Sequence, residues 1–251
     1  MTVSLIFIAL SALVCLFGPA ALALYMIRKR GAWPMSLLLG AAVFAVFQIL
    51  TRVPLLGALQ NTPSLILFST TQPLLYALML ALSAGIFEEV GRYIAARGLM
   101  KGRLTWENAV VFGLGHGGLE ALWLVGVNFT VLFFQGVGGQ AAVQILSSPP
   151  TWFLAPGVER VLTVAMHIGF TMLVFYAVKR RKPLWLVIAI AAHMAVDTVA
   201  GMISLKLIPV GVWASEGILA VMAALAVLLT MKFKPILSDK NAAQKPEGES
   251  I

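Results

Sequence analysis

Seven apolar runs decide what this chain can become. They lie at about 3–27, 34–56, 65–96, 107–134, 157–178, 184–204 and 209–231, and each approaches or exceeds the roughly 20 residues that a helix needs to cross a bilayer. Hydrophobic residues make up 60% of the chain and charged residues 11%, with a mean hydropathy of +0.95. A soluble domain carries about 25% charged residues. No soluble core could hide this much apolar surface, so lipid has to be the solvent. The expected fold is an all-α, polytopic membrane helix bundle of about seven transmembrane helices. A single transmembrane domain, 1–231, is followed by a polar tail, 232–251, rich in Pro, Gly, Lys and Glu and expected to be disordered and cytoplasmic.

Charge then orients the bundle. The net charge of +8 would suggest nucleic acid in a soluble protein. Here the bases form short clusters between apolar runs, which is a topology signal, and no nucleic-acid partner is expected. The clusters are Arg28–Arg30, then Arg97, Lys101 and Arg103, then Lys179–Lys182, then Lys232 and Lys234. Seven spans put all of them on one side, and the alternate connections carry only Lys206. The positive-inside rule gives N-terminus out and C-terminus in. The first run is too long for a signal-peptide core and its charges follow it, so it reads as a retained helix. The single Cys15 lies in an apolar run, and there is no intramolecular disulfide framework.

The stretch Phe112–Glu120, FGLGHGGLE, formally matches the dinucleotide-binding pattern G-x-G-x-x-G. That pattern requires a preceding strand and a βαβ unit. The stretch lies inside the fourth run instead, so the nucleotide reading is discarded. Glycines spaced as Gly113 and Gly117 are let neighbouring membrane helices approach closely. Packing does not explain His116 and Glu120.

Ionisable side chains at mid-membrane cost at least ~2.5 kcal/mol each, so they need partners or a task. The third run carries Glu88, Glu89 and Arg92, and the fourth His116 and Glu120. The fifth carries Glu159, Arg160 and His167, and the sixth His193 and Asp197. At a helical rise of about 1.5 Å per residue, Glu88, His116, His167 and His193 lie about 14, 15, 18 and 15 Å from the basic side. Four helices thus bring Glu or His to nearly one level. Glu88/Arg92, His116/Glu120 and His193/Asp197 are each four apart and share a helix face. Glu89 is three from Arg92, so the guanidinium can hold one carboxylate while the other stays free. The simplest arrangement turns these faces to one wet cavity. Blander roles compete for some of them: Glu159/Arg160 as an ion pair at the outer interface, His167 as an interhelical hydrogen-bond partner, Glu120 as an orienter of His116 or an arginine.

Such a set suits water activation. A glutamate shielded from bulk water can serve as base and then acid. Histidines can bind a metal or donate to an oxyanion. Neither G-x-S-x-G nor H-E-x-x-H is present, which leaves serine-hydrolase and zincin readings without support.

Three motifs carry a resemblance. Glu88-Glu89-x-x-Arg92, Phe112-x-x-x-His116 and His193-x-x-x-Asp197 resemble the E-E-x-x-x-R, F-x-x-x-H and H-x-x-x-N/D motifs of the CAAX-protease and bacteriocin-processing intramembrane peptidases. The first motif is one residue shorter than that pattern. The run 88–93, the run 115–120, Glu159-Arg160 and the H-x-x-x-D pair are more similar to the bacterial YhfC family of intramembrane metalloproteases. This resemblance implies a multi-pass protein of the bacterial cytoplasmic membrane, in contact with lipid, that cleaves a membrane protein or peptide. By the same carry-over, Glu88, Glu89 and His116 would activate water, His193 and Asp197 would stabilise the oxyanion, and Arg92 would belong to the catalytic set. Glu120, Glu159 and Arg160 would support it. If a zinc ion takes part, His116, His167 and His193 are its expected ligands. The carry-over gives His167 no task, which favours the metal-free version. The main alternative is an ion- or proton-coupled transporter, since midplane Glu, His, Asp and Arg also build proton relays. The lack of a visible internal repeat weighs against it. A haem or quinone carrier using two histidines and a non-catalytic scaffold are further alternatives.

Overall fold

The computed structural model describes residues 1–238. Its helices are α1 (Thr2–Arg30), α2 (Met35–Leu59), α3 (Pro63–Thr71), α4 (Pro73–Gly98), α5 (Trp106–Val137), α6 (Ala142–Leu146), α7 (Ala155–Lys179), α8 (Leu184–Ser204) and α9 (Val212–Ser238). No strand occurs among the described residues. All but α3 and α6 are long and apolar enough to span a membrane, giving seven candidate spans among the described residues. Large apolar side chains such as Leu50, Phe134 and Leu228 are exposed on the outside of the bundle, where a bilayer would solvate them.

Three boundaries differ from the sequence reading. The third run, read as continuous over 65–96, is broken into α3 and α4 at Gln72, whose φ is −133°. Pro73 is the cause: it lacks an N–H and its ring disfavours helical geometry in the residue before it. The seventh helix continues past Met231 to Ser238. The rest of the polar tail, and its expected disorder, lies outside the described residues. The connection after the fourth run, 135–156 in the sequence reading, also holds the short α6 and a 3-10 turn, Pro150–Phe153.

Helix α7 is the axis of the bundle. Sixty-one per cent of its apolar window is buried, against 17–39% for the other spans. It packs on α5 through Phe112 and Phe175, whose rings meet edge to face at 5.6 Å. At the other side of its basic end, Tyr176, Trp185 and Phe233 tie α7, α8 and α9 with centroid separations of 4.9–5.5 Å. Helices α2 and α5 touch backbone to backbone. A Cβ on Gly40 would stand 2.0 Å from Phe112 O, and one on Gly115 would stand 2.0 Å from Leu37 O. The glycines of FGLGHGGLE are thus packing residues, as the small-residue spacing suggested.

Two helices carry wide turns. Residues Phe44–Arg52 of α2 and Leu122–Gly126 of α5 are π-helical. Such segments shift the register of the side chains beyond them and recur at functional sites. The first ends at Arg52 and the second begins two residues after Glu120.

The basic clusters gather at one end of the bundle. Trp33 N donates to Asn108 Oδ1 at 2.7 Å, and the Arg103 guanidinium lies 4.4 Å from the Trp33 ring. Lys179 Nζ donates to Leu237 O at 2.7 Å, and Lys234 lies 4.9 Å from the Trp106 ring. Positive charge concentrated at one end favours the cytoplasmic side. Cysteines at positions 101 and 181 are therefore expected to resist an impermeant thiol reagent applied to intact cells, while one at 139 reacts. Labelling of position 101 from outside would overturn this orientation.

Candidate active site

The four site helices converge. Glu88, Glu89 and Arg92 of α4 lie on two successive turns and face the core; all three are buried, the latter two with no exposure. Arg92 pairs through Nη1 with Glu89 Oε1, and its Nη2 is 3.6 Å from Glu88 Oε2. The i,i+3 partner holds the guanidinium more closely than the i,i+4 partner. Glu88 is left to accept a hydrogen bond from His116 Nε2 of α5 at 2.8 Å.

The histidines are fixed by what surrounds them. Arginine can only donate, so the 2.8 Å contact from Arg92 Nη2 makes His167 Nδ1 an acceptor. Its proton is then on Nε2, which donates to Glu120 Oε2 at 2.5 Å. Glu120 also receives Arg160 Nη1 at 2.6 Å, and Arg160 Nη2 pairs with Glu159. Glu120 is therefore an orienter, of His167 and Arg160 rather than of His116. The Glu159/Arg160 pair of α7 is not an isolated interface bridge but the outer end of this chain. His193 of α8 donates from Nδ1 to Glu89 Oε1 at 2.7 Å and stacks on Phe170 at 5.0 Å. Its orienting carboxylate is Glu89. Asp197 stands at the other ring nitrogen, 3.6 Å from Nε2, and its side chain is 37% exposed. Every residue singled out in the sequence reading thus belongs to one connected polar cluster.

His193 uses only Nδ1 in its hydrogen bond to Glu89. His193 Nε2 lies 3.8 Å from Glu88 Oε2 and 3.6 Å from Asp197 Oδ2. All three residues line a cavity of about 100 Å³. The cavity shares Glu159, Asp197, Ala200 and Leu219 with a larger groove of about 570 Å³ between α2, α4, α7, α8 and α9. A buried carboxylate–histidine centre thus borders a small chamber that adjoins a larger groove. His116 Nδ1, by contrast, is buried without a partner.

Donor atoms from Glu88, His167 and His193 lie within 4.8 Å of one another, a spacing from which a metal ion could be held. The group contains Glu88 where the sequence reading had His116, because His116 Nε2 is turned onto Glu88 itself.

Two residues of the site went unnoticed in the sequence. Arg52 of α2 donates to Leu80 O at 2.7 Å, Ser83 Oγ at 2.9 Å and Gln48 Oε1 at 3.2 Å, and lines the groove. Glu216 of α9 lines it too and is buried. Each is an ionisable residue inside an apolar run. The same cost argument that singled out the others applies to both.

These features define an α-helical, multi-pass membrane protein built around a buried carboxylate–histidine centre that borders a small cavity. The chain belongs to the YhfC intramembrane metalloprotease family, whose model matches residues 10–219; it is a multi-pass protein of a bacterial membrane and, by family, an intramembrane protease. It is similar to "Uncharacterized membrane protein YhfC" of Bacillus subtilis (strain 168), at 32% identity over 252 residues that cover 93% of this chain and 97% of that protein. No solved structure matches it.

Proposed function

We propose that the chain hydrolyses a peptide bond of a membrane-embedded or membrane-proximal substrate in the Glu88–His193–Asp197 cavity, with Glu88 as general base. The supporting observation is the meeting of Glu88, His193 Nε2 and Asp197 at one small chamber that opens into a groove. His116 and Arg92 both approach Glu88 Oε2. Its Oε1 accepts no hydrogen bond from the described residues and is free to take a proton from water. The water oxygen then bonds to the carbonyl carbon, and the carbonyl oxygen becomes an oxyanion. Breakdown of that intermediate cleaves the C–N bond, and Glu88 returns its proton to the leaving amine. When protonated, His193 can donate from Nε2 to the oxyanion, with Asp197 beside it.

The metal implied by the family can be seated at the same atoms. Two ligands about 2.0–2.2 Å from one zinc ion in a tetrahedral site stand roughly 3.5 Å apart. His193 Nε2 meets that condition with Asp197 Oδ2 at 3.6 Å and nearly so with Glu88 Oε2 at 3.8 Å. The Nδ1–H of His193 on Glu89 is the usual support for a ligand imidazole. His167 fits less well, because both of its ring nitrogens are already engaged. Glu88 and His193 would thus hold a metal, with Asp197 beside His193, and the ion when bound would supply Lewis acidity toward the carbonyl oxygen.

Elemental analysis of purified variants tests this assignment. His193→Ala is expected to lose bound metal, while His167→Ala keeps it and melts at a lower temperature. Metal lost from His167→Ala and retained by His193→Ala would reverse the assignment. Absence of metal from active wild-type protein, with chelators without effect, would leave the metal-free version.

A further inference from the structure

We infer that the groove beside the catalytic cavity recognises a lysine or arginine side chain of the substrate, and that Glu216 is the residue that reads it. This rests on the hydrolytic reading above and extends it to a class of substrate.

Glu216 has no evident structural task. It lies on α9, five residues from the helix start by inclusive count, and is 8% exposed. Its Oε2 is buried and has no hydrogen-bond partner. A carboxyl group in such a place costs free energy unless something completes it. Every other buried carboxylate of the site has a cation or a histidine of the protein on at least one oxygen, although Glu89 Oε2 also lacks a partner. Glu88 has His116, Glu89 has Arg92 and His193, and Glu120 has Arg160 and His167. Glu216 lines the groove instead, together with Glu159 and Asp197.

The groove therefore has an excess of acid on its α7, α8 and α9 sides. Arg52 is its one cationic lining residue, and that guanidinium is already engaged by Leu80 O, Ser83 Oγ and Gln48 Oε1. What would satisfy Glu216 is a donor from outside, and a cation satisfies both its charge and its lone pairs.

The position in the fold agrees. Glu216 and Glu159 sit near the starts of α9 and α7, and Ser204 ends α8. These ends lie opposite the basic clusters. Four residues at about 1.5 Å each put Glu216 about 6 Å from the start of its helix, a depth to which a lysine on a substrate can extend from the membrane interface. Along α8 and its C-cap, the groove runs from Asp197 to Leu205. That is about 12 Å of helix, or roughly three to four residues of extended peptide. The recognised cation thus belongs within about four residues of the scissile bond, where the apolar segment of a substrate meets the surface opposite the basic clusters.

Two fluorescent leucine–alanine transmembrane peptides test this, one with a single interfacial lysine and one with norleucine in its place. Binding is measured to full-length Glu88→Gln protein in nanodiscs, which separates recognition from cleavage; cleavage is measured with wild type. The lysine peptide is expected to bind about tenfold more tightly, or about 1.4 kcal/mol. Adding Glu216→Gln should bring the ratio near one. Adding Glu216→Lys should reverse it and favour a third peptide carrying glutamate. That gain of binding cannot come from misfolding. Equal affinity for the lysine and norleucine peptides, or no binding of either, overturns the inference. Cleavage of both peptides at equal rates also overturns it while leaving hydrolysis intact. A lysine preference in binding without any cleavage keeps the recognition site and removes the hydrolytic reading.

Discussion

Glu88→Gln is expected to leave the bundle assembled and to lower peptide hydrolysis by about 10²–10⁴, the usual worth of a positioned general base. The amide matches the carboxylate in shape. Its oxygen can still accept the hydrogen bond that His116 Nε2 gives Glu88 Oε2 at 2.8 Å. Arg92 keeps Glu89, its closer partner, so the buried guanidinium stays compensated. What the amide cannot do is take a proton from water. Wild type and Glu88→Gln in the same nanodiscs, given the lysine peptide, should differ in turnover and not in melting temperature. A wild-type rate in Glu88→Gln would remove Glu88 as the base. A large fall in melting temperature would mean that Glu88 is first a counter-charge for Arg92.

The spans and the polar cluster were legible for one physical reason. Lipid tolerates only long apolar helices, and it makes every ionisable residue within them conspicuous. The sixth run, read as 184–204, is the helix Leu184–Ser204. Of the two carboxylates that the spacing put within reach of Arg92, Glu89 at i,i+3 is the closer and Glu88 at i,i+4 lies at 3.6 Å. Partners across helices were not legible, because they depend on rotation and tilt. His193 was paired in the sequence with Asp197, its neighbour one turn on, whereas its closer partner is Glu89 on another helix. His167, read in the sequence as an interhelical hydrogen-bond partner or a zinc ligand, bridges Arg92 and Glu120, partners that the sequence did not name. The π-helical turns of α2 and α5 leave no mark in an apolar pattern, since a run without polar punctuation has no visible register.

Glu89→Gln should show the reverse profile, losing stability first. Glu89 is fully buried. Its Oε1 pairs with Arg92 Nη1 and accepts from His193 Nδ1 at 2.7 Å. Removing one member of a buried ion pair strands the other's charge, at a cost of about 3–5 kcal/mol. Glutamine keeps an acceptor oxygen but not the charge. Arg92, with no exposure of its own, is left with Glu88 at 3.6 Å as its only carboxylate among the described residues. The destabilisation should appear as an earlier unfolding transition in detergent. It should be partly relieved when Arg92→Leu is added, because the stranded charge goes with it. If the double variant were no more stable than the sum of the single changes predicts, Glu89 and Arg92 would not be coupled as the geometry requires. The same substitution weakens the support of His193, so metal affinity should fall by about 10–100-fold while Glu88 remains in place to act as base. Glu88→Gln thus removes turnover from a stable protein, and Glu89→Gln removes stability from one that still turns over. Adjacent residues of identical chemistry are separated by which helix each one faces.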